Sequence, residues 1–232
     1  MKDSRSLTRR EALSAIGAAR AAIALGCGDS PTSPSLSTTV AAATTGTNSA
    51  CAVTPTETLG PYPSLVDLFR SDIREGKSGT LLTLTIKVVN VANGCEAVPN
   101  ANVEIWHVDA AGDYSQYGSQ TTQTFLRGVQ TTNIAGDVTF TTIYPGWYQG
   151  RATHIHVEVT VGGRSVKVTQ IAFPESINNQ VHGTGAYASR GTNPMSNNAD
   201  GIFADSLSSE LVTPTGSTAA GYAATFQVGV SV

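Results

Sequence analysis

Charge is scarce in this chain. Lys and Arg number 14 and Asp and Glu 17 among 232 residues, a net charge of −3. Lys2, Arg5, Arg9, Arg10 and Arg20 against Asp3 and Glu11 put +3 on residues 1–27, which leaves −6 on the remainder and no basic face. A nucleic-acid partner is excluded on that ground, because phosphate contacts need clustered Lys and Arg. Helix signals are few, and no internal repeat is present. The Ala-rich stretch near the start is too short and too polar to span a bilayer permanently. Two hydrolase signatures are also missing: no general-base glutamate sits in a histidine motif, and no serine is flanked by glycines as a nucleophile. Cysteines number only three and histidines four.

The scarce cysteines are unevenly placed. Ser6-Leu7-Thr8-Arg9-Arg10 followed by an Ala-rich run resembles a twin-arginine export signal over residues 1–27. Ala24-Leu25-Gly26-Cys27 leaves a lipoprotein signal open, with Cys27 acylated and the chain anchored to a membrane. Residues 28–50 are rich in Ser, Thr, Ala and Pro, which suits a flexible tether and cannot build a core. Export to the periplasm or the exterior would put Cys51 and Cys95 in an oxidising compartment, where two cysteines most simply pair; two buried free thiols are the alternative.

From Gly79 onward the pattern is β. Leu82, Leu84, Ile86 and Val88 alternate with Thr83, Thr85 and Lys87, as in a half-buried strand. Val103, Ile105 and His107 predict a second strand, 125–132 a weaker one, and 138–143 another. Residues 153–161 and 165–173 flank Gly162-Gly163, a hairpin turn signal, and 223–230 close the set. Short strands at this spacing predict an all-β, antiparallel sandwich over residues 51–232, with no helical domain before it. Pro63 to Phe69 predicts a single helical turn. Residues 174–209, rich in Asn, Gly and Ser, predict long surface loops bordering a site.

The most informative stretch is Gly146-Trp147-Tyr148-Gln149-Gly150-Arg151-Ala152-Thr153-His154-Ile155-His156. Residues i and i+2 of a strand share one face about 6.5–7 Å apart, so both imidazoles can converge on one ion. Tyr148 lies six residues before His154 and Arg151 three before it. Tyr114, in Trp106-His107-Val108-Asp109-Ala110-Ala111-Gly112-Asp113-Tyr114, offers a second phenol. Imidazole suits iron, copper and zinc, and phenolate is a hard anionic donor that favours Fe(III). Two neutral and two anionic ligands would nearly balance a trivalent ion.

Residue by residue, plainer readings exist. Tyr114 alone would be an aromatic packing on the sheet, Tyr148 a loop anchor, and Arg151 a partner for Glu158 or Asp109. Gln170 would be a solvated strand residue. Tyr62 either lines a pocket or simply packs. His107 reads as structural, His182 as exposed, and Asp109 as the residue that shapes the turn before Tyr114.

Taken together, the motifs resemble the intradiol ring-cleavage dioxygenases. That family carries W-x-x-D-x-x-G-x-Y, matched by Trp106, Asp109, Gly112 and Tyr114. It carries a tyrosine before R-x-x-H-x-H, matched by Tyr148, Arg151, His154 and His156, and a glutamine in the next strand, matched by Gln170. Thr54 to Tyr62 and Asp72-Ile73-Arg74 resemble its opening segment, and the spacing from Tyr148 to His154 is shorter than in catechol-type members.

The resemblance implies a β-sandwich of the compact, protocatechuate-type kind. It implies one non-haem Fe(III) per chain held by Tyr114, Tyr148, His154 and His156. A small aromatic 1,2-diol would be cleaved with O2 to a muconate-type diacid. Tyr148 would act as ligand and base, Arg151 would stabilise developing negative charge, and Gln170 would support the substrate, with Tyr62 lining the pocket. A β-sandwich that binds or carries phenolic compounds without catalysis is the alternative. The particular diol and the oligomeric state stay open at this level.

Overall fold

The computed structural model describes residues 51–232. The export signal, the tether and Cys27 lie outside the described residues. Within them two sheets pack face to face. In the first, β1 (Leu81–Asn90) is central. It has β9 (Gly221–Val230) on one side and β5 (Asp137–Ile143) with β2 (Glu96–Ala97) on the other, and β8 (Thr215–Ser217) extends the sheet beyond β9. The second sheet runs β4 (Arg127–Thr131), β3 (Asn102–Trp106), β6 (His154–Val161), β7 (Arg164–Ala172), antiparallel throughout. The fold is the all-β sandwich the alternation predicts, and no helical domain precedes it among the described residues.

Period-two burial explains the layering. Leu82, Leu84, Ile86 and Val88 are buried, and they meet Val103, Ile105, Ile155, Val157, Val159 and Ile171 of the other sheet in one core. The residues between those six necessarily point the other way. The outer face of the second sheet therefore carries Glu104 and Trp106, His154, His156 and Glu158, and Gln170. Register places Trp106 opposite both Arg127 and His156, and His156 opposite Gln170. Gly162 and Gly163 turn β6 into β7 with φ of 56° and 78°, the left-handed pair of a tight hairpin.

Most of that outer face is covered, with Glu104 and Glu158 only part-buried. A strap of irregular chain crosses it from the first sheet. Thr54 bonds Gly229 of β9, Glu57 N–H donates to Val168 of β7, and Val129 N–H of β4 donates to Leu68. Ile73 then reaches Thr141 of β5 and Leu126. The strap begins at a disulfide that joins Cys51 to Cys95, just past the end of β1, with Cα atoms 5.7 Å apart.

Four details depart from the sequence-based picture. β1 and β9 run parallel, from Leu82↔Tyr222 to Asn90↔Val230. No hairpin joins them, so nothing constrains β9 to run antiparallel. The pairs Glu96–Ala97 and Thr215–Ser217 add two short strands too brief to show a period. Pro63 to Phe69 forms no helical turn, because its backbone groups are drawn toward β4 and the 116–117 loop instead.

The last departure concerns residues 174–209, which are not merely surface loop. They include α1 (Glu175–His182), and they bury Asn178, Val181, His182, Tyr187, Asn197, Asp200, Phe203 and Ser206. α2 (Leu207–Glu210) follows, with Glu210 buried. The Asn side chains face inward because they satisfy buried groups: Asn178 accepts from Tyr144 Oη and donates to Phe173 O, and Asn197 donates to that same carbonyl. His182, expected to be exposed, is fully buried with Nε2 on Pro145 O. It thereby helps set the loop leading to Tyr148.

Candidate metal centre

His154 and His156 open β6 and share the outer face, as the i, i+2 spacing requires. His154 Nδ1 lies 2.6 Å from Ala152 O. A carbonyl can only accept, so Nδ1 carries the proton and Nε2 keeps its lone pair. That Nε2 lies 3.1 Å from His156 Nε2. Two imidazole ligands ~2.1 Å from a common ion stand about 3 Å apart, so the pair is spaced as ligands are. Trp106 stacks on His156 with centroids 4.8 Å apart and planes within 2°, which fixes the ring against rotation. Burial first, and the charge of Arg151 after it, hold His154 at about 3; burial and then His154 keep His156 well below the usual imidazole range. Both rings are neutral donors at any ordinary pH.

Two phenols complete a closed circuit of rings. Tyr148 lies 5.6 Å from His154 and 5.6 Å from Tyr114, centroid to centroid, and Tyr114 lies 6.3 Å from His156. Asp109 delivers Tyr114: its Oδ1 accepts from the N–H groups of Ala111 and Asp113, and its Oδ2 pairs with Lys77. This is the turn-shaping role the sequence suggests. Gly146 lets the loops that carry Tyr114 and Tyr148 touch, since a Cβ there would stand 2.1 Å from Asp109 O.

The two phenols differ in setting. Tyr114 is buried, and its Oη has no hydrogen-bond partner. Burial, with Tyr148 beside it, drives its pKa far above the ordinary phenol value. Tyr148 is only part-buried; burial raises it too, but Arg151 opposes the rise by charge and by hydrogen bond. An orphaned buried hydroxyl costs about 1–3 kcal/mol. A cation ligated by Tyr114 would remove that cost, and the donor set of two imidazoles and two phenols fits a hard trivalent ion. Among the described residues no group of three or more His, Cys, Asp and Glu could hold a metal. Any metal site at His154 and His156 therefore depends on the tyrosines.

Arg151 does not pair with Glu158 or Asp109. Its Nε donates to buried Asp200 at 2.8 Å, and its Nη2 to Gln170 Oε1 at 2.6 Å. Gln170 is wholly buried, and its Nε2 donates to Thr58 O of the strap. Both ends of that amide are engaged, so it acts on the site through Arg151. Asp200 Oδ2 also accepts from Ala152 N–H, which locks the residues just before His154.

Tyr62, from the strap, sits amid the phenols: 4.8 Å from Tyr114, 5.2 Å from Tyr117 and 6.0 Å from Tyr148. With Tyr114, Tyr117 and Tyr148 it lines a cavity of about 150 Å³. Buried Arg127 donates to Ser115 Oγ, Ser115 O and Tyr62 O, pinning strap and ligand loop together. His107 is structural: Nδ1 meets Val108 O, and Nε2 accepts from Thr142 Oγ1.

Tyr117, Arg127 and Asp200 were not singled out by sequence. Only Tyr117 had a local cue, three residues beyond Tyr114; Arg127 and Asp200 reach the site through contacts distant along the chain.

A two-sheet sandwich whose outer face gathers two histidines, two tyrosines and a part-buried arginine defines a candidate metal centre. A family described as "Dioxygenase" matches residues 63–180, just over half of the chain. The chain belongs to the intradiol ring-cleavage dioxygenase family. It is similar to an intradiol ring-cleavage dioxygenase from Tetranychus urticae, with a TM-score of 0.70 and 29% identity over 78% of this chain and 95% of that one. The dioxygenase domain of a dioxygenase carbohydrate-binding protein fusion from Streptomyces sp. SirexAA-E gives 0.60 and 27%, over 78% and 99%. 3-Chlorocatechol 1,2-dioxygenase from Rhodococcus opacus 1CP shares the fold at 0.54 and 20% identity, over 77% and 72%. No curated protein matches the chain by sequence.

Proposed function

We propose that this protein is a non-haem Fe(III) enzyme that cleaves the ring of a small aromatic 1,2-diol between its hydroxyl-bearing carbons. Both atoms of O2 would be incorporated, giving a muconate-type dicarboxylic acid. The observation that carries the reading is the closed circuit of Tyr114, His156, His154 and Tyr148, with an orphaned phenol oxygen and two neutral, facing imidazole nitrogens.

Tyr114, Tyr148, His154 and His156 would hold the ion. Ferric iron held there would supply Lewis acidity to the oxygens of the diol and draw electron density from its ring, opening a ring carbon to O2. Tyr148 Oη would be the base of the pair: it is only part-buried, and Arg151 beside it favours the phenolate form, which can accept a hydroxyl proton from the substrate. Tyr114 stays, being buried with no hydrogen-bond partner to deliver a proton to its oxygen. Arg151, fixed by Asp200 and Gln170, presents a preorganised positive charge to oxygen anions forming on the substrate. Tyr62 and Tyr117 wall the ring of the diol and keep water from it.

We also propose that the protein acts after export. The Cys51–Cys95 disulfide supports an oxidising compartment, and Cys27 remains the candidate for a lipid anchor.

The test is a visible spectrum of the purified protein with metal analysis, followed by O2 uptake on a panel of 1,2-diols. The expected result is about one iron per chain, a red-brown phenolate-to-iron band and stoichiometric O2 consumption. A colourless protein that consumes no O2 after iron loading would mean a binding or carrier module instead.

A further inference from the structure

We infer that Arg127 is a positioning residue of the centre: its guanidinium, buried without a counter-ion, holds the Tyr114 loop to the strap and supplies the positive charge that an anionic Tyr114 oxygen meets when an ion is bound. The inference rests on the ferric reading above and adds to it a residue outside the ligand set.

Arg127 begins β4 opposite Trp106, which in turn lies opposite His156. Residues directly opposite each other share a face, so the guanidinium enters the same layer as the imidazole donors. The side chain is fully buried. Every acceptor that meets it is neutral: Nε donates to Ser115 Oγ, Nη2 to Ser115 O, and Nη1 to Tyr62 O and Ser64 Oγ. A rigid fork of donors suits this task, since one arm reaches the strap while the others reach the residue after Tyr114.

Those bonds satisfy N–H groups and leave the charge uncompensated. Arg127 is in no ion pair among the described residues. Glu104 acts on it from a distance, but burial pushes that carboxyl up to about 7, so near neutral pH it is a partial counter-charge at most. A cation taken out of water without a partner is costly. What faces this one is aromatic: its Cζ stands 5.5 Å from the Tyr117 ring centroid and 5.7 Å from that of Tyr114, within reach of a cation–π attraction.

Tyr114 shows the complementary lack. Its Oη is buried with no hydrogen-bond partner. Two guanidiniums oppose the burial that disfavours its anion, Arg151 and then Arg127. Arg151 is already paired with Asp200 at 2.8 Å; of the two, only Arg127 brings a charge without a partner. A buried cation and a buried oxygen that turns anionic as a ligand therefore offset each other once the site is filled.

The experiment uses the full chain, stripped of metal and reloaded with Fe(III), with affinity read by competition against a chelator and the visible band recorded for each variant. Removing the charge raises the energy of the phenolate electrons, so charge transfer from Tyr114 to iron needs less energy. Arg127→Gln should therefore move the band to longer wavelength and weaken iron binding about tenfold or more. Arg127→Lys keeps the charge and loses the fork, so its band should stay near that of the wild type. Glu104→Gln leaves Arg127 and its hydrogen bonds in place and removes an opposing carboxylate. At about pH 8, where that carboxylate is ionised, its band should move to shorter wavelength, which tests the charge even where Arg127→Gln fails to fold. An unmoved band in Arg127→Gln, a Lys variant shifted as far as the Gln variant, or no shift in Glu104→Gln overturns the role of the charge and leaves the ferric reading intact. Absence of iron binding and of any visible band in the wild type overturns the ferric reading, and this inference with it.

Discussion

At the scale of single residues, the candidate centre is a set of donors left without partners by everything around them. Tyr114 Oη is buried and unbonded, and the two imidazole Nε2 atoms face each other at 3.1 Å. Tyr114→Phe and His154→Ala should each lower kcat/KM by at least about a hundredfold. His154→Ala should also cut the iron content, read by metal analysis; full activity in that variant would sink the ligand assignment. Asp200 acts one step back, through Arg151. Asp200→Asn should leave iron and the charge-transfer band in place yet lower kcat roughly tenfold with little change in KM. Asp200→Glu, which restores the charge, should recover part of the loss. A fall in KM and kcat together with loss of colour would instead mark Asp200 as merely structural. The paired histidines, both tyrosines and Arg151 were legible because they lie in short motifs whose spacing has a strand meaning. Asp200 was not, because nothing local distinguishes one aspartate in an Asn- and Gly-rich loop from another.

At the scale of elements, the strap over the second sheet does what no strand does: it closes the outer face. At Gly60 it passes against the His156 ring. Its φ is 71°, and a Cβ there would stand 3.0 Å from His156 Cε1. Gly60→Ala therefore strains the backbone and presses on the His156 ring, which Trp106 prevents from tilting. The expected cost is about 1–2 kcal/mol of stability, read by denaturant titration, together with a shifted iron band. An unchanged spectrum would mean that the strap gives way instead. The strands themselves were readable by alternation, down to which residues share a face. The strap was not, since residues 52–73 have no period: their backbone bonds go to β9, β7, β4 and β5 in turn. The short strands at 96–97 and 215–217 and the parallel pairing of β1 with β9 were hidden for a related reason, being decided by neighbours in space.

At the scale of the whole molecule, two ties close the fold. The Cys51–Cys95 bridge spans 44 residues, and in the chain-entropy model a loop of that length contributes about 4 kcal/mol. Replacing both cysteines by serine should lower stability by roughly 3–4 kcal/mol, measured by urea unfolding with the slope compared; a negligible change would argue against the bridge in the mature protein.

The second tie is buried Glu210, which accepts from Ser206 Oγ and Thr169 Oγ1 and holds α2 against β7. Burial chiefly, with Glu57 adding to it, pushes Glu210 up to about 7. The sign follows from linkage: with the folded pKa above the unfolded one, its contribution is whole below about pH 4.3 and is lost as pH rises through 7. Glu210→Gln should therefore match the wild type near pH 4 and melt higher than it near pH 8, by roughly 2–4 °C per kcal/mol relieved. A difference in melting temperature that does not change with pH would overturn this assignment.

What the sequence alone determined was the β class, the outward row of chemistry-bearing residues and the family they resemble. Each follows from periods of two and motifs a few residues long, which local sterics translate directly into faces. Only the tertiary structure decided how that row becomes a site. The strap, Arg127 and Asp200 approach it from dozens of residues away, and buried polar groups must find partners wherever the packed chain supplies them.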